Sequence, residues 1–209
     1  MAQRAASPAS RSNFENPSRL QALTVDTVDA QLIRAAQSGD REAFGSIAAE
    51  LGRPFLATAR RILHDLDLAE DATQEALVGI WHGLPSLRDA ARFDAWAYRL
   101  LVRACYAEAS KVRPWSPNVR VLPAESVDQG NDVSAVLDRD QLDRAFRRLS
   151  IDHRVAIVLR YYLDLPLERM AEVLGISLGT VGSRLHYAVQ AMRSGVDADD
   201  RQPAREALS

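Results

Sequence analysis

The stretch Gly175–Leu185, "GISLGTVGSRL", packs three glycines, two serines and a threonine into eleven residues. The chemistry on offer is hydrogen bonding by small groups that allow a close approach. A helical advance of about 100° per residue from Val181 gathers Leu185, Ala188, Val189 and Met192 on one side. Thr180, Ser183, His186, Tyr187 and Gln190 fall opposite, with Gly179 among them and Arg184 at the flank. A face that is small at its N-terminal end, then polar and cationic, suits entry into a DNA major groove. Ser177, Thr180 and Ser183 can reach phosphates or base edges, and Arg184 can pair with phosphate or guanine. The competing reading is a helical hairpin with a solvated face.

A second set lies upstream. Counted from Phe93, a helix places Phe93, Ala97, Leu100, Leu101 and Ala104 on a core side. Trp96, Arg99, Arg103 and Tyr106 then share roughly one exposed quadrant. Cations that track phosphates, interleaved with rings that stack on unpaired bases, suit single-stranded DNA. The alternative is that Trp96 caps the core and the arginines are solvated. A third set is acidic: Asp65, Asp67, Glu70, Asp71 and Glu75 occur with no Lys or Arg between His64 and Glu75. Such a run is a solvated face or a docking surface for a basic partner. Between Arg99 and Arg120 the sign reverses, with five cations against Glu108 alone. A net charge of −2 therefore hides two segments suited to different partners.

Enzymatic readings find little support. The four histidines are scattered without ligand spacing, and the single Cys105 excludes an internal disulfide or a cysteine-based zinc cluster. No Gly-rich phosphate loop occurs, so neither a cofactor nor a metal is expected. No apolar run approaches the ~18 residues needed to span a bilayer, and the first residues lack the apolar centre of a signal peptide. A cytoplasmic protein without membrane insertion is expected.

These sets need helices to position them. Residues 1–28, rich in Ser, Ala, Arg and Pro, read as a disordered tail. From 29 to 113 the apolar spacing is helical, broken at Ser38-Gly39-Asp40, with Pro54 near the start of a further turn and a loop at 85–92. Residues 114–136 hold three prolines and read as a linker. Helical spacing returns from 137 to 194, with Ser150 as an N-cap, Pro166 in a first turn and Gly175 as a stop. Leu167, Met170, Ala171 and Leu174 make a buried stripe before Gly175-Ile176-Ser177, so the pair reads as a helix-turn-helix. A polar tail, 195–209, follows. The expected fold is all-α: two small helical domains joined by a flexible linker. Between Pro166 and Arg193 three arginines face two glutamates, so the second domain should hold DNA poorly alone.

In order along the chain, these pieces resemble a bacterial sigma factor of the extracytoplasmic-function type, over roughly 29–193. "AEDATQEALVGIW" resembles the family's polymerase-binding helix, D-x-x-Q-[DE]-x-[FL]-x-x-x-W. The resemblance implies that Asp71, Gln74 and Glu75 contact the clamp helices of the polymerase β′ subunit, and that the β flap is a further partner. "FDAWAYRLLVRACYAEASKVR" resembles the promoter-melting, minus-ten helix. The loop before it would capture a flipped base, which assigns minus-ten roles to Arg88, Arg92, Trp96, Arg99, Arg103 and Tyr106. "LERMAEVLGISLGTVGSRLHYAVQAMR" is similar to the minus-thirty-five-reading helix-turn-helix, implying DNA contacts from Ser177, Thr180, Ser183, Arg184, His186 and Tyr187. Gly182 stands where the family often has Lys or Arg, and Arg103 where Asn is common. Implied partners are core RNA polymerase and promoter DNA, with an anti-sigma protein as a further family expectation. Rival readings are a stand-alone helix-turn-helix regulator and a protein-binding helical adaptor.

Overall fold

The computed structural model describes residues 28–111 and 133–206, with side chains for 28–111 and 140–198. The expected tail (but for Val28) and most of the expected linker lie outside the described residues. Every element among the described residues is helical.

Helix α1, Ala30–Gln37, starts where the Asp29 carboxylate accepts from the Gln31 amide at 2.7 Å. Asp40 repeats the device for α2, Arg41–Leu63, accepting from the Glu42 and Ala43 amides. Each such cap satisfies donors that the first turn leaves orphaned. Pro54 does not interrupt α2. Leu51 and Phe55 on either side are fully buried, so core packing carries the helix past the missing N–H. His64, in the left-handed region at φ 56°, ends α2, and Asp65 caps α3, Leu66–Gly83. The expected loop 85–92 is two short 3₁₀ turns, Leu84–Ser86 and Ala90–Arg92, leading into α4, Phe93–Lys111. The Gln37 side-chain amide donates to the Leu84 and Leu87 carbonyls at 3.1 and 2.7 Å and ties this segment to α1.

The second half begins with α5, Val133–Arg147, so helix reaches four residues into the expected linker. Ser150 caps α6, Ile151–Ile157, as its spacing predicts, and a single π-helical turn, Val158–Tyr162, follows. Helix α7, Leu167–Leu174, begins after Pro166 and ends at Gly175, which adopts φ 67°. Helix α8 begins at Leu178 and continues to Glu206. The expected polar tail from 195 is thus helical through most of its length. At Gly195 the missing side chain lets α8 approach Ala145 on α5: an added Cβ would lie 2.9 Å from the Ala145 Cβ. One apolar core runs through both halves, from Ile47, Phe55, Ile80, Phe93 and Leu101 to Val155, Leu159, Met170 and Val181.

Candidate nucleic-acid interface

On α8 the expected division of faces holds. Val181 and Ala188 are fully buried, whereas Thr180, Ser183, His186, Tyr187 and Gln190 are exposed. The Ser177 hydroxyl is already engaged, accepting from the Thr180 amide at 3.2 Å and lying 2.8 Å from the Thr180 hydroxyl. It therefore caps the N-terminus of α8. Ser183 donates to the Thr180 carbonyl at 3.1 Å. His186 packs edge-on against Tyr187, which is 59% exposed. Leu178, exposed at the first residue of α8, is an apolar group on this approach that hydrogen-bonding logic passes over.

The α4 face departs from its expected exposure. Arg103 is exposed, but Trp96, Arg99 and Tyr106 are only half so. Trp96 lies against Gly83 and 6.0 Å, ring to ring, from the buried Phe93, so part of the indole does core work. Arg99 and Tyr106 are covered by the second half of the chain. Arg99 donates to the Glu172 carbonyl through Nε at 3.1 Å and also through Nη2. That carbonyl lies in the last turn of α7, where the helix dipole favours a cation. The Tyr106 hydroxyl donates to Asp152 at 2.8 Å. Arg184 of α8 reaches the same carboxylate at 3.0 Å, and its side chain is only 24% exposed. Burial, followed by the Asp152 hydrogen bond, raises the Tyr106 pKa and keeps the phenol a proton donor. Two sets that the sequence treats as separate therefore meet at Asp152, a residue no motif signals.

Around the 3₁₀ turns, Arg88 and Arg92 are both exposed, and Arg92 pairs loosely with Asp89 at 3.6 Å. On α3, Asp71, Gln74 and Glu75 are all exposed, and Val78, 44% exposed, extends their face by one turn. Trp81 does not share it; its ring packs 4.8 Å from Phe44 and fixes α3 against α2. Lys111 pairs with the buried Glu108 at 2.7 Å, and its pKa is raised by that bond first and by Asp71 and Glu75 after it. Cys105 is fully buried, and burial pushes its thiol up to about 12, so it serves as core. Among the described residues no cluster of His, Cys, Asp or Glu could hold a metal ion.

The model of sigma-70 region 2 matches residues 47–113, and that of sigma-70 region 4 matches 139–192. The ECF RNA polymerase sigma factor SigL of Mycobacterium tuberculosis is 35% identical over 140 residues, 65% of this chain and 78% of SigL. The chain belongs to the extracytoplasmic-function sigma factors. The sigma-E factor of Escherichia coli is 28% identical over 186 residues, 83% of this chain and 97% of its own. Among solved structures, CnrH in complex with the cytosolic domain of CnrY aligns with a TM-score of 0.60 at 24% identity, over 82% of this chain and 99% of CnrH. The sigma factor RpoE of Bartonella quintana, in complex with the anti-sigma factor NepR, aligns at 0.58 and 22%, over 76% and 99%. This sigma factor binds core RNA polymerase and directs promoter recognition and transcription initiation. Region 2 on the same chain as region 4 removes the ground for a stand-alone regulator. No helix of the described residues is long and apolar enough to cross a membrane.

Proposed function

We propose a division of labour among the three faces. Asp71, Gln74 and Glu75 dock α3 on the β′ clamp helices, and the helix-turn-helix half takes the β flap. Arg88, Arg92, Trp96, Arg99, Arg103 and Tyr106 hold and open the minus-ten region. Thr180, Ser183, Arg184, His186 and Tyr187 read the minus-thirty-five region, with Ser177 capping α8. The protein performs no bond chemistry of its own; it acts by binding, in the cytoplasm where polymerase works. The two halves correspond to a region-2-like and a region-4-like domain, and their shared tether converts two weak DNA contacts into one firm contact. An anti-sigma protein belongs to the same proposal as the partner that would withhold the factor from polymerase.

The observation that carries this reading is the α3 face: Asp71, Gln74, Glu75 and Val78 at helical spacing, all exposed, none with a role in the core. Transcription from a promoter library with core polymerase tests it. The factor should create new start sites, Glu75→Lys should abolish them with its helical content intact, and Arg184→Ala should weaken those dependent on the upstream element. Start sites unaffected by Glu75→Lys would overturn the assignment of α3.

A further inference from the structure

The first turn of a recognition helix is the part of a helix-turn-helix that meets base edges. On α8 most of that turn has little to offer by hydrogen bonding. The hydroxyls of Ser177 and Thr180 are engaged with one another at 2.8 Å, and Ser177 also accepts from the Thr180 amide. Gly179 has no side chain. Leu178 stands among them 48% exposed, while Ile176 packs against the core and Val181 lies in it. A single exposed leucine is ordinary on a protein surface. What sets this one apart is the bare backbone beside it. Helical side chains lean toward the N-terminus, so the residue that would lie over Leu178 is the one a turn further on, at 182. That residue is glycine, and a Cβ added at Gly182 or at Gly179 meets nothing within 4 Å. Counted around the helix, these two glycines separate Leu178 from the polar face of α8, so no side chain walls the leucine off from DNA laid on that face.

We propose that Leu178 is a specificity-determining residue, packing in the bound promoter on the C5-methyl group of a thymine in the minus-thirty-five element. That methyl is the apolar group among those that base edges present in the major groove. Set against leucine, the amino and carbonyl groups of other bases lose water and gain no partner. Leu178 thus adds an apolar contact to a face whose other readers are polar, and it does so through the gap left by Gly182. The inference rests on α8 being the minus-thirty-five helix, and its test separates the two.

The test uses the full chain bound to core polymerase and a promoter drawn from the library. Thymines of the minus-thirty-five element are replaced one at a time by deoxyuridine, which lacks only the methyl group. Competition binding should reveal a position where uracil weakens the parent about fourfold, the weight of one buried methyl group. Leu178→Ala, its fold checked by circular dichroism, should lose a similar factor on the unmodified promoter and no longer distinguish uracil from thymine at that position. Uracil sensitivity retained in Leu178→Ala overturns the proposal, because another side chain then holds the methyl. Equal losses for Leu178→Ala on thymine and uracil promoters overturn it too, because they place the leucine against protein. A selected element without thymine does the same. Scrambling the element checks the reading beneath. Binding indifferent to scrambling overturns the minus-thirty-five assignment of α8 and the thymine contact with it. Loss on scrambling with no loss at any uracil overturns the thymine contact alone.

Discussion

Gly83, the last residue of α3, gives a test in which two effects of known sign oppose each other. Replacing a helical glycine by alanine ordinarily stabilises by up to ~1 kcal/mol, and by less at a helix end. Here the new Cβ would lie 2.7 Å from Cζ2 and 3.4 Å from Cη2 of Trp96. Carbon atoms pack best at about 3.5–4.0 Å, so the indole must retreat by about 1 Å. It cannot do so freely, because its other side leans on Phe93, which is fully buried. Overpacking of this kind costs about 1–3 kcal/mol, which outweighs the helix gain. Gly83→Ala should therefore destabilise by ~1–2 kcal/mol, a fall of roughly 2–8 °C in Tm for a chain of this size. Thermal melts by circular dichroism measure it, and indole emission reports Trp96 moving toward solvent. In a Trp96→Ala background the clash is gone, and Gly83→Ala should become neutral or mildly stabilising. A double-mutant cycle then returns a coupling of at least ~1 kcal/mol. If Gly83→Ala is as stable as the parent with unchanged emission, the seating of Trp96 on α3 is wrong, and so is any melting role that depends on it.

Gly195→Ala should separate α8 from α5. The new Cβ would stand 2.9 Å from the Ala145 Cβ and 3.2 Å from its Cα, and backbone cannot swing aside. Urea melts should show a loss of ~1–3 kcal/mol despite the better helix former; unchanged stability refutes the close crossing. At Gly182 an added Cβ meets nothing within 4 Å, so alanine should stabilise by up to ~1 kcal/mol. Gly182→Arg should in addition steepen the salt dependence of promoter binding by about one phosphate contact. An identical slope would place that side of α8 away from the DNA backbone. His64 supplies a pH dependence. Its pKa is lowered from 6.5 to about 4, by burial first, then by Arg154, with Arg147 adding to the effect and Asp143 opposing it. The folded chain thus resists protonation that the unfolded chain accepts. The stability at stake is whole above pH 6.5 and is lost as the pH falls toward 4. With the ring part-exposed and screened, the loss is about 1–2 kcal/mol. Melts at pH 7.5 and 5 should show it in the parent and less of it in His64→Gln; parallel losses in both would acquit the imidazole.

The legible parts of the fold are those decided by local chemistry. Ser150 as an N-cap and Gly175 as a stop are two of them, since a cap is a short-range event that spacing reveals. The two faces of α8 are legible for the same reason: Val181 and Ala188 are one helical stripe, and their burial follows from period. What stays hidden is set by distant partners. Pro54 reads as near the start of a further turn, whereas α2 runs through it with Leu51 and Phe55 buried on either side. The segment after Ser194 reads as tail because its composition is polar, whereas α8 continues through it and at Gly195 lies close against Ala145 of α5. Arg99 and Tyr106 read as exposed because a helical wheel shows one helix and not the body laid against it. Asp152 has no motif at all; its role comes from the meeting of α4, α6 and α8. Gln37 is silent for a like reason, since the carbonyls it holds, at Leu84 and Leu87, lie some fifty positions away.

Charge and cover together impose an order of events. The helix-turn-helix carries only three arginines against two glutamates from Pro166 to Arg193, and one of those arginines, Arg184, is neutralised at 3.0 Å by Asp152. Phosphate neutralisation sets DNA affinity, so a module with so few free cations cannot lead the search for a promoter. On α4, Arg99 is likewise engaged, by the Glu172 carbonyl, which leaves Arg103 exposed on that face. Asp71 and Glu75 on α3, by contrast, are exposed, and long-range attraction acts on whichever charges solvent can reach. On the proposed role of α3, a basic polymerase surface is met first, and negative DNA is repelled by the same face until that face is covered. Docking, on that role, covers exposed carboxylates that disfavour DNA. Such a factor, on the same proposed role of α3, needs no strong grip of its own, because its acidic face is neutralised by the enzyme that will use the promoter before the promoter is read.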